Sequence, residues 1–261
     1  MNTKLNEVVI VAAARTPIGS YKGSLKNIKA DQLGSIVIKE VINRANINHV
    51  DIDEIILGQV LTAGTGQNPA RQASINAGLL KSTPAHLVNQ VCGSGLRSVI
   101  SGFQTIKLNE AKYVISGGQE SMSLAPHTLF YRNDNKLSED KLIDTMIYDG
   151  LIDAFNNYHM GVTAENIAEK YKISRQEQDD FALRSQAKTQ LSLEQNKFKD
   201  ELVSVNIDGS FLNIDEHPRK NLNIKDLQKL KTVFKENGTV TAGNSSGIND
   251  GAAVLILTSS N

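Results

Sequence analysis

Residues 86–109 read HLVNQVCGSGLRSVISGFQTIKLN, and this stretch decides which class of fold the rest of the chain completes. The apolar run His86–Val91 predicts a short strand, and the small and apolar residues from Ser94 to Asn109 predict a helix. Glycines at positions 93 and 95 permit a tight turn between the two. A strand that passes directly into a helix in this way is typical of α/β proteins.

Outward from this stretch, short apolar runs alternate with helical segments through the first 123 residues. Further strands are predicted at Val8–Ala14, Glu54–Leu61 and Tyr113–Ser116, and helices at Asp31–Ala45 and from Asn68-Pro69 onward. In the last of these helices, Asn68 is a favourable capping residue and Pro69 is a favourable first residue of the helix. Such alternation predicts a mixed, mostly parallel sheet with helices on both faces.

The pattern changes after residue 123. The following residues are richer in charge and predict long helices, one of them opened by a capping box at Ser174–Glu177 and running to about Gln195. A dense strand returns at Ala252–Leu257, after a glycine-rich turn. The sequence therefore predicts a discontinuous core half made of residues 1–123 and 239–261, interrupted by a mainly helical inserted loop domain of residues 124–238.

Composition narrows the class of protein. The 261 residues carry 28 Lys plus Arg and 28 Asp plus Glu, a balance that argues against nucleic acid and membrane surfaces as partners. The N-terminus lacks the positive region and cleavage site of a signal peptide, so a cytoplasmic location is expected. With one cysteine, neither an internal disulfide nor a cysteine-rich metal site is expected.

The predicted helix after residue 93 is unusually apolar. Between Gly93 and Lys107 the only charged residue is Arg97, whereas an amphipathic surface helix shows a charged stripe. The helix is therefore expected to be covered nearly all round. Since a sheet covers one side of a helix, a further surface is expected to cover the other.

Cys92 is the candidate nucleophile because it lies between the predicted strand and the start of this helix. Helix N-termini present free N–H groups and the positive end of the dipole, which stabilise a thiolate, the reactive form of cysteine. The alternative is a buried cysteine that serves as a small apolar residue. The position at the strand-to-helix turn favours catalysis over that alternative.

Several motifs together resemble thiolases of the short-chain, acetoacetyl-CoA type. Val88–Gly95 resembles the nucleophile segment of that family, and Gly117–Ser123 resembles its Gly-Gly-x-Glu-x-Met-Ser loop. Three further segments match in the same order along the chain: Gln67–Gln72, His159–Asn166 and the glycine-rich Gly238–Ala253. Within the loop motif, Glu120 is interpreted as a residue that organises a turn rather than as an acid or base.

The resemblance implies acetyl-CoA C-acetyltransferase chemistry, in which two acetyl-CoA give acetoacetyl-CoA and CoA, or the reverse thiolysis, through an acyl-Cys92 intermediate. It implies no cofactor, because the CoA thioesters are substrates. It also implies a set of residues that contact CoA: Leu151, His159, Met160, Arg219, Phe234, Ala242, Ser245, Ser246 and Ile248. Asp226 stands where related enzymes carry a small hydroxyl residue.

The family also implies a second half that this sequence does not contain, with Asn-Glu-Ala-Phe and Gly-His-Pro segments and a second cysteine. The expected partners are accordingly acetyl-CoA and acetoacetyl-CoA, further copies of the chain in a homo-oligomer, and a separate C-terminal thiolase half. The alternatives are a truncated, non-catalytic fragment and a CoA-binding module. A ketoacyl-synthase-type condensing enzyme is disfavoured by the His159-Met160-Gly161 segment and by Gly238–Ala253.

Overall fold

The computed structural model describes residues 7–131 and 142–260. The helices are α1 Ala30–Ala45, α2 Pro69–Asn76, α3 Ser94–Lys107, α4 Thr145–Gly150, α5 Met160–Tyr171, α6 Arg175–Glu194 and α7 Ile224–Gln228. The strands are β1 Val8–Arg15, β2 Gly19–Ser20, β3 Glu54–Gly58, β4 Ala85–Val88, β5 Val114–Ser121, β6 His127–Thr128, β7 Ile143–Asp144, β8 Val205–Ile207, β9 Ser210–Leu212 and β10 Asn249–Ser259.

The main sheet has the strand order β1-β10-β5-β3-β4, and β2 pairs with the start of β10. Strands β3, β4 and β5 are parallel, whereas β10 is antiparallel to both of its neighbours, β1 and β5. Four of the five strands therefore run in one direction and β10 runs against them. The predicted mixed, mostly parallel sheet is confirmed.

Helices pack on both faces of this sheet, and the alternation of side chains along each strand separates two cores. Ile55 and Leu57 of β3 pack on the side of α1 and α2, together with Ile115 of β5. Ile56 points to the opposite face, where Val114 and Leu257 pack against Ile106 of α3. The successive apolar residues Ile55, Ile56 and Leu57 of β3 therefore serve both cores, as expected for a sheet covered on both faces.

Two predicted helix starts are confirmed at the level of hydrogen bonds. The Asn68 side chain accepts a hydrogen bond from the backbone N–H of Arg71, with Pro69 as the first residue of α2. At the start of α6, the Ser174 hydroxyl accepts from the N–H of Glu177 and the Glu177 carboxylate accepts from the N–H of Ser174. These contacts satisfy donors that the first turn of a helix leaves free.

Several predicted strand boundaries are wrong. Strand β3 ends at Gly58 rather than at Leu61, and β10 runs from Asn249 to Ser259 rather than from Ala252 to Leu257. Strand β4 ends at Val88 rather than at Val91, because Val91 has a left-handed backbone with φ of 48° and cannot continue a strand. Strand β5 continues to Ser121, so most of the Gly117–Ser123 motif lies in a strand instead of a loop. Pairing with β10 extends it: Gly117 to Ser121 are opposite Val254 to Asp250.

Between β5 and β10 the described residues form four α-helices, one short antiparallel strand pair, β6-β7, and one short hairpin, β8-β9. This part of the chain is anchored to the sheet at Arg15, whose guanidinium forms two hydrogen bonds with the Asp215 carboxylate, at 2.7 and 3.0 Å. The boundaries 1–123, 124–238 and 239–261 remain predictions. Parts of the predicted domains, residues 1–6, 132–141 and 261, lie outside the described residues.

Helix α3 buries its sheet side through Ser94, Ser98, Gly102 and Ile106. On its other side Leu96 is 68% exposed, and Ile100 and Phe103 are also exposed. Within the described part of this chain only the sheet side of α3 is covered, and covering of the far side by another surface remains a prediction. None of the helices in the described ranges is long and apolar enough to cross a membrane.

Candidate active site

The turn between β4 and α3 presents Cys92 to solvent. Val91, just before it, adopts the left-handed conformation that β-branched residues normally avoid. The Ser94 hydroxyl secures this turn, because it donates to the Val91 carbonyl oxygen at 2.6 Å and accepts from the Gln90 N–H at 2.9 Å. Strain at Val91 is therefore held by specific contacts on either side of Cys92.

Glycines let this turn lie directly on the sheet. A Cβ atom on Gly58, the last residue of β3, would lie 2.5 Å from the backbone nitrogen of Gly95 and 2.7 Å from the carbonyl oxygen of Ser94. Gly58 pairs with Gly118 of β5, where an added Cβ would stand 3.6 Å from the Cα of Gly95. The start of α3 thus rests on two glycines of adjacent strands.

Cys92 lies at an open cleft of about 360 Å³. The cleft is formed where β3, β5 and β10 meet the nucleophile turn. Its lining consists of Ile18, Gly58, Gln59, Val60, Val91, Cys92, Ser94, Gly95, Gly118, Gln119, Glu120, Asn249, Asp250, Gly251, Ala252 and Ala253. The nucleophile therefore shares one cavity with two carboxylates, Glu120 and Asp250.

Glu120 is held by backbone donors from the loop that follows β3. Its carboxylate accepts from the N–H of Val60 at 2.8 Å and from the N–H of Leu61 at 3.3 Å. These contacts agree with the interpretation of Glu120 as a residue that organises a turn. Burial, with a smaller contribution from the Asp250 carboxylate, nevertheless raises the pKa of Glu120 to about 7 against the lowering effect of these bonds.

Glu120→Gln is expected to remove a pH-dependent part of the stability. An unperturbed glutamate titrates near 4.5 and Glu120 in the fold near 7, so between these values the folded protein binds a proton that the unfolded chain has lost. The free energy of unfolding therefore falls as the pH rises through this window, by about 3 kcal/mol in total. Urea unfolding at about pH 5 and pH 8 measures the fall, and an equally steep fall in the variant would contradict this assignment.

Four of the predicted CoA contacts form one cluster at the start of α5. The N–H of Met160 donates to the Leu151 carbonyl oxygen at 2.8 Å. The His159 ring stacks on Phe234, with 4.7 Å between the ring centroids and 18° between the planes. Nδ1 of His159 accepts from the N–H of Gly161 at 2.9 Å, which leaves the proton of the neutral ring on Nε2.

The glycine-rich segment before β10 is held by Glu165 of α5. The buried Glu165 carboxylate accepts from the N–H groups of Thr239 and Val240. Burial acts to raise the pKa of Glu165, but the hydrogen bonds from Val240 and Thr239 outweigh it and hold that pKa below its usual value. This carboxylate stays ionised and joins the His159 segment to the glycine-rich segment.

Four of the remaining predicted CoA contacts lie on that segment, and the fifth, Arg219, lies by α6. Ala242 and Ser246 are exposed, Ser245 and Ile248 are half-buried, and the Ser245 hydroxyl donates to the Thr241 carbonyl oxygen at 2.7 Å. Arg219 is exposed, and its N–H donates to the Gln186 side chain of α6 at 2.9 Å.

The lining of the Cys92 cleft contains none of the nine predicted CoA residues, counting only the parts of the chain that the structure describes. It does contain polar residues that the sequence does not assign to the site, among them Gln59, Gln119, Asn249 and Asp250. Gln119 and Gln59 form a buried pair, with Nε2 of Gln119 donating to Oε1 of Gln59 at 2.9 Å. Asp250 accepts from the N–H and the hydroxyl of Ser123. The signal in the sequence for these four residues is their position at or near the ends of predicted strands.

Comparison with known proteins agrees with the motifs. Residues 8–261 match the family described as Thiolase, N-terminal domain. A protein named acetyl-CoA acetyltransferase in Paracoccus denitrificans is 51% identical over 259 residues, which are 97% of this chain and 66% of that protein. One of the same name in Pseudomonas aeruginosa is 48% identical over 98% of this chain and 66% of its own length. A probable acetyl-CoA acetyltransferase of Escherichia coli K12 gives the same three figures.

This chain therefore spans about 66% of the length of the curated relatives that it matches. The family match covers both the nucleophile segment and β10. The resemblance found in the motifs is thereby confirmed. Because that match extends over residues 8–261, the chain belongs to the thiolase family, in which it corresponds to the N-terminal domain.

Proposed function

We propose that this chain provides the nucleophile for acyl transfer between CoA thioesters. The Cys92 thiolate attacks the carbonyl carbon of acetyl-CoA, a new carbon–sulfur bond forms, and the bond to CoA breaks. CoA leaves as a thiolate that takes up a proton. A second acetyl-CoA loses a methyl proton to a base of the C-terminal thiolase half, and the resulting enolate carbon attacks the acetyl-Cys92 carbonyl, which forms acetoacetyl-CoA and returns the Cys92 thiolate. Thiolysis follows the same steps in reverse.

The observation that supports this proposal most strongly is the placement of Cys92, exposed at the start of α3 and at the edge of a cleft. The N–H groups of Gly93 and Ser94 already donate within the turn, to the carbonyl oxygens of Gln90 and Val91 at 3.0 Å. We therefore assign the Cys92 N–H as a donor to the oxyanion that forms during attack.

The CoA arm is proposed to bind along the nine predicted residues, which come from several stretches of the chain between Leu151 and Ile248. The stacked His159–Phe234 pair with Met160 and Leu151 would contact the pantetheine and acyl groups, and Ala242 and Ile248 would add apolar contact. Ser245 and Ser246 would approach the pantetheine amides. Arg219, exposed near α6, would meet the nucleotide end, since a guanidinium can both stack on adenine and bind phosphate.

The setting is proposed from the family as well. We expect a cytoplasmic protein that uses no cofactor and works as a homo-oligomer. We also expect it to act together with the C-terminal thiolase segments Asn-Glu-Ala-Phe and Gly-His-Pro. A separate chain that carries those segments is the proposed source of the groups for condensation. Binding of CoA without turnover is the second candidate, favoured by the fact that the His159 cluster is built from residues outside the Cys92 cleft.

Intact-mass measurement after brief incubation with acetyl-CoA separates these functions. We expect the chain to gain one acetyl group and a Cys92→Ala variant to gain none, because the variant lacks the attacking sulfur. A folded chain that stays unmodified while calorimetry shows CoA binding would contradict the acyl-enzyme and favour the binding module. An adduct that persists in Cys92→Ala would place the reactive group elsewhere.

A further inference from the structure

We propose that Glu120 is a positioning residue that holds the Cys92 turn in its reactive geometry through a relay of hydrogen bonds across the cleft. This inference rests on the proposed acyl transfer for its role in catalysis. The relay itself is a property of the fold that can be measured without acyl transfer. Glu120 acts on neighbouring backbone groups, so its assigned role is distinct from that of an acid or base.

The first step of the relay joins β5 to the loop after β3. The two carboxylate oxygens of Glu120 accept the successive N–H groups of Val60 and Leu61, at 2.8 and 3.3 Å. Since β3 ends at Gly58, these residues have just left the sheet and have no strand partner to fix them. A charged acceptor makes a stronger hydrogen bond than a neutral one, so an ionised Glu120 fixes Val60 most firmly.

The second step joins Val60 to the nucleophile. The side-chain amide of Asn89 donates from Nδ2 to the Val60 carbonyl oxygen at 3.5 Å. The Asn89 side-chain oxygen accepts the N–H of Val91 at 3.0 Å. Val91 is the residue with φ of 48°, and the next residue is Cys92. The strained conformation before the nucleophile is therefore connected, bond by bond, to Glu120.

Positioning fits the surroundings of Glu120 better than proton transfer does. Each carboxylate oxygen accepts one backbone N–H, and together these two bonds fix the Glu120 carboxylate against the residues that follow β3. Among the described residues, the titratable groups that face it are Asp250 of β10 and Cys92 across the cleft, and residues 59–61 present none.

The chain contains a matched control. The Asp53 carboxylate accepts two successive N–H groups, of Lys112 and Tyr113, at 2.7 and 2.9 Å. These contacts join the same two strands, β3 and β5, at their opposite ends from Glu120. Asp53→Asn therefore tests the specificity of the effect. It shows whether losing any carboxylate that joins these strands loosens the Cys92 turn, or whether only the loss of Glu120 does.

The test is amide hydrogen exchange measured residue by residue by NMR in the wild-type chain, Glu120→Gln and Asp53→Asn. At pH 8, where Glu120 is mostly ionised, Glu120→Gln is expected to exchange the Val91 amide about tenfold faster than the wild type, the size of effect of one lost hydrogen bond. At about pH 5.5 the two should agree within about twofold, because a protonated Glu120 is neutral like glutamine. Asp53→Asn should match the wild type at Val91 at both pH values.

A second variant keeps the proposal testable should Glu120→Gln fail to fold. Asn89→Ala removes the middle of the relay at an exposed position, so it should speed exchange at Val91 while Leu61 keeps its wild-type rate. Equal Val91 exchange in the wild type and in the relay variants would overturn the inference, as would an equal effect of Asp53→Asn. Acetylation of Cys92 is read in parallel: a wild type without acetylation sinks the proposed function, while the exchange rates still decide the relay.

Discussion

Replacing Cys92 by serine is expected to slow acetylation by acetyl-CoA about 10⁴-fold. Serine keeps the size and the position of the attacking atom at the start of α3, but its hydroxyl stays protonated at neutral pH. A cysteine ionises far more readily and is intrinsically more nucleophilic.

Quenched-flow or intact-mass time courses at saturating acetyl-CoA measure this loss. Thermal unfolding serves as the control, and since the exposed side chain changes by one atom we expect the midpoint of Cys92→Ser to match that of the parent. Acetylation of the serine variant at a rate within about tenfold of the parent would mean that another group supplies the nucleophile.

Gly58→Ala is expected to reduce both stability and acetylation. The added Cβ would lie 2.5 Å from the nitrogen of Gly95 and 2.7 Å from the oxygen of Ser94, and backbone atoms of a helix cannot move away singly. Helix α3 must shift as a body or the sheet must deform, at a cost of about 3 kcal/mol. A displacement of about 1 Å at the nucleophile lowers a rate roughly 100-fold, so acetylation should fall by about that factor.

Gly95→Ala is the matched control for stability. Its added Cβ would meet only the Gly117 carbonyl oxygen, at 4.0 Å, which is an ordinary contact. Alanine also favours the helix over glycine, so the free energy of unfolding should stay equal or rise by up to about 1 kcal/mol. Urea unfolding of the two variants compares them directly. A Gly58→Ala chain as stable as Gly95→Ala would show that α3 does not rest on β3 as described.

Much of the fold follows from local sequence signals. Apolar runs locate β1, β3 and β10, and caps at Asn68 and Ser174 locate the starts of α2 and α6. The direction of β10 has no local signature, since a strand buried on both faces is apolar whichever way it runs. The end of β4 is not predictable from residue types either. Val91 has the β-branched side chain typical of strands, yet the short-range hydrogen bonds of Asn89 and Ser94 hold it in a left-handed conformation.

The residues of the candidate site also differ in whether the local sequence predicts them. Cys92 is identified from its immediate neighbours, because a strand-to-helix turn with glycines is a local pattern. Glu120 and Asp250 lie in β5 and β10, Gln59 directly follows β3, and only the sheet order brings these three positions to one cleft. No single-sequence pattern carries that information. The placement of the nine CoA residues relies on family resemblance and remains a proposal.

The position of β10 has a consequence for how the chain acquires its structure. This strand lies between β1 and β5, so its pairing with Val8–Arg15 joins residues separated by most of the sequence. During synthesis β1 emerges early but must wait for β10 before it gains a neighbour, and until then both β1 and β5 expose unpaired edges. Such high contact order predicts slow folding and a need for protection of the nascent chain. Strand β10, which completes the cleft beside Cys92, is thus also the strand that joins β1 to the rest of the sheet.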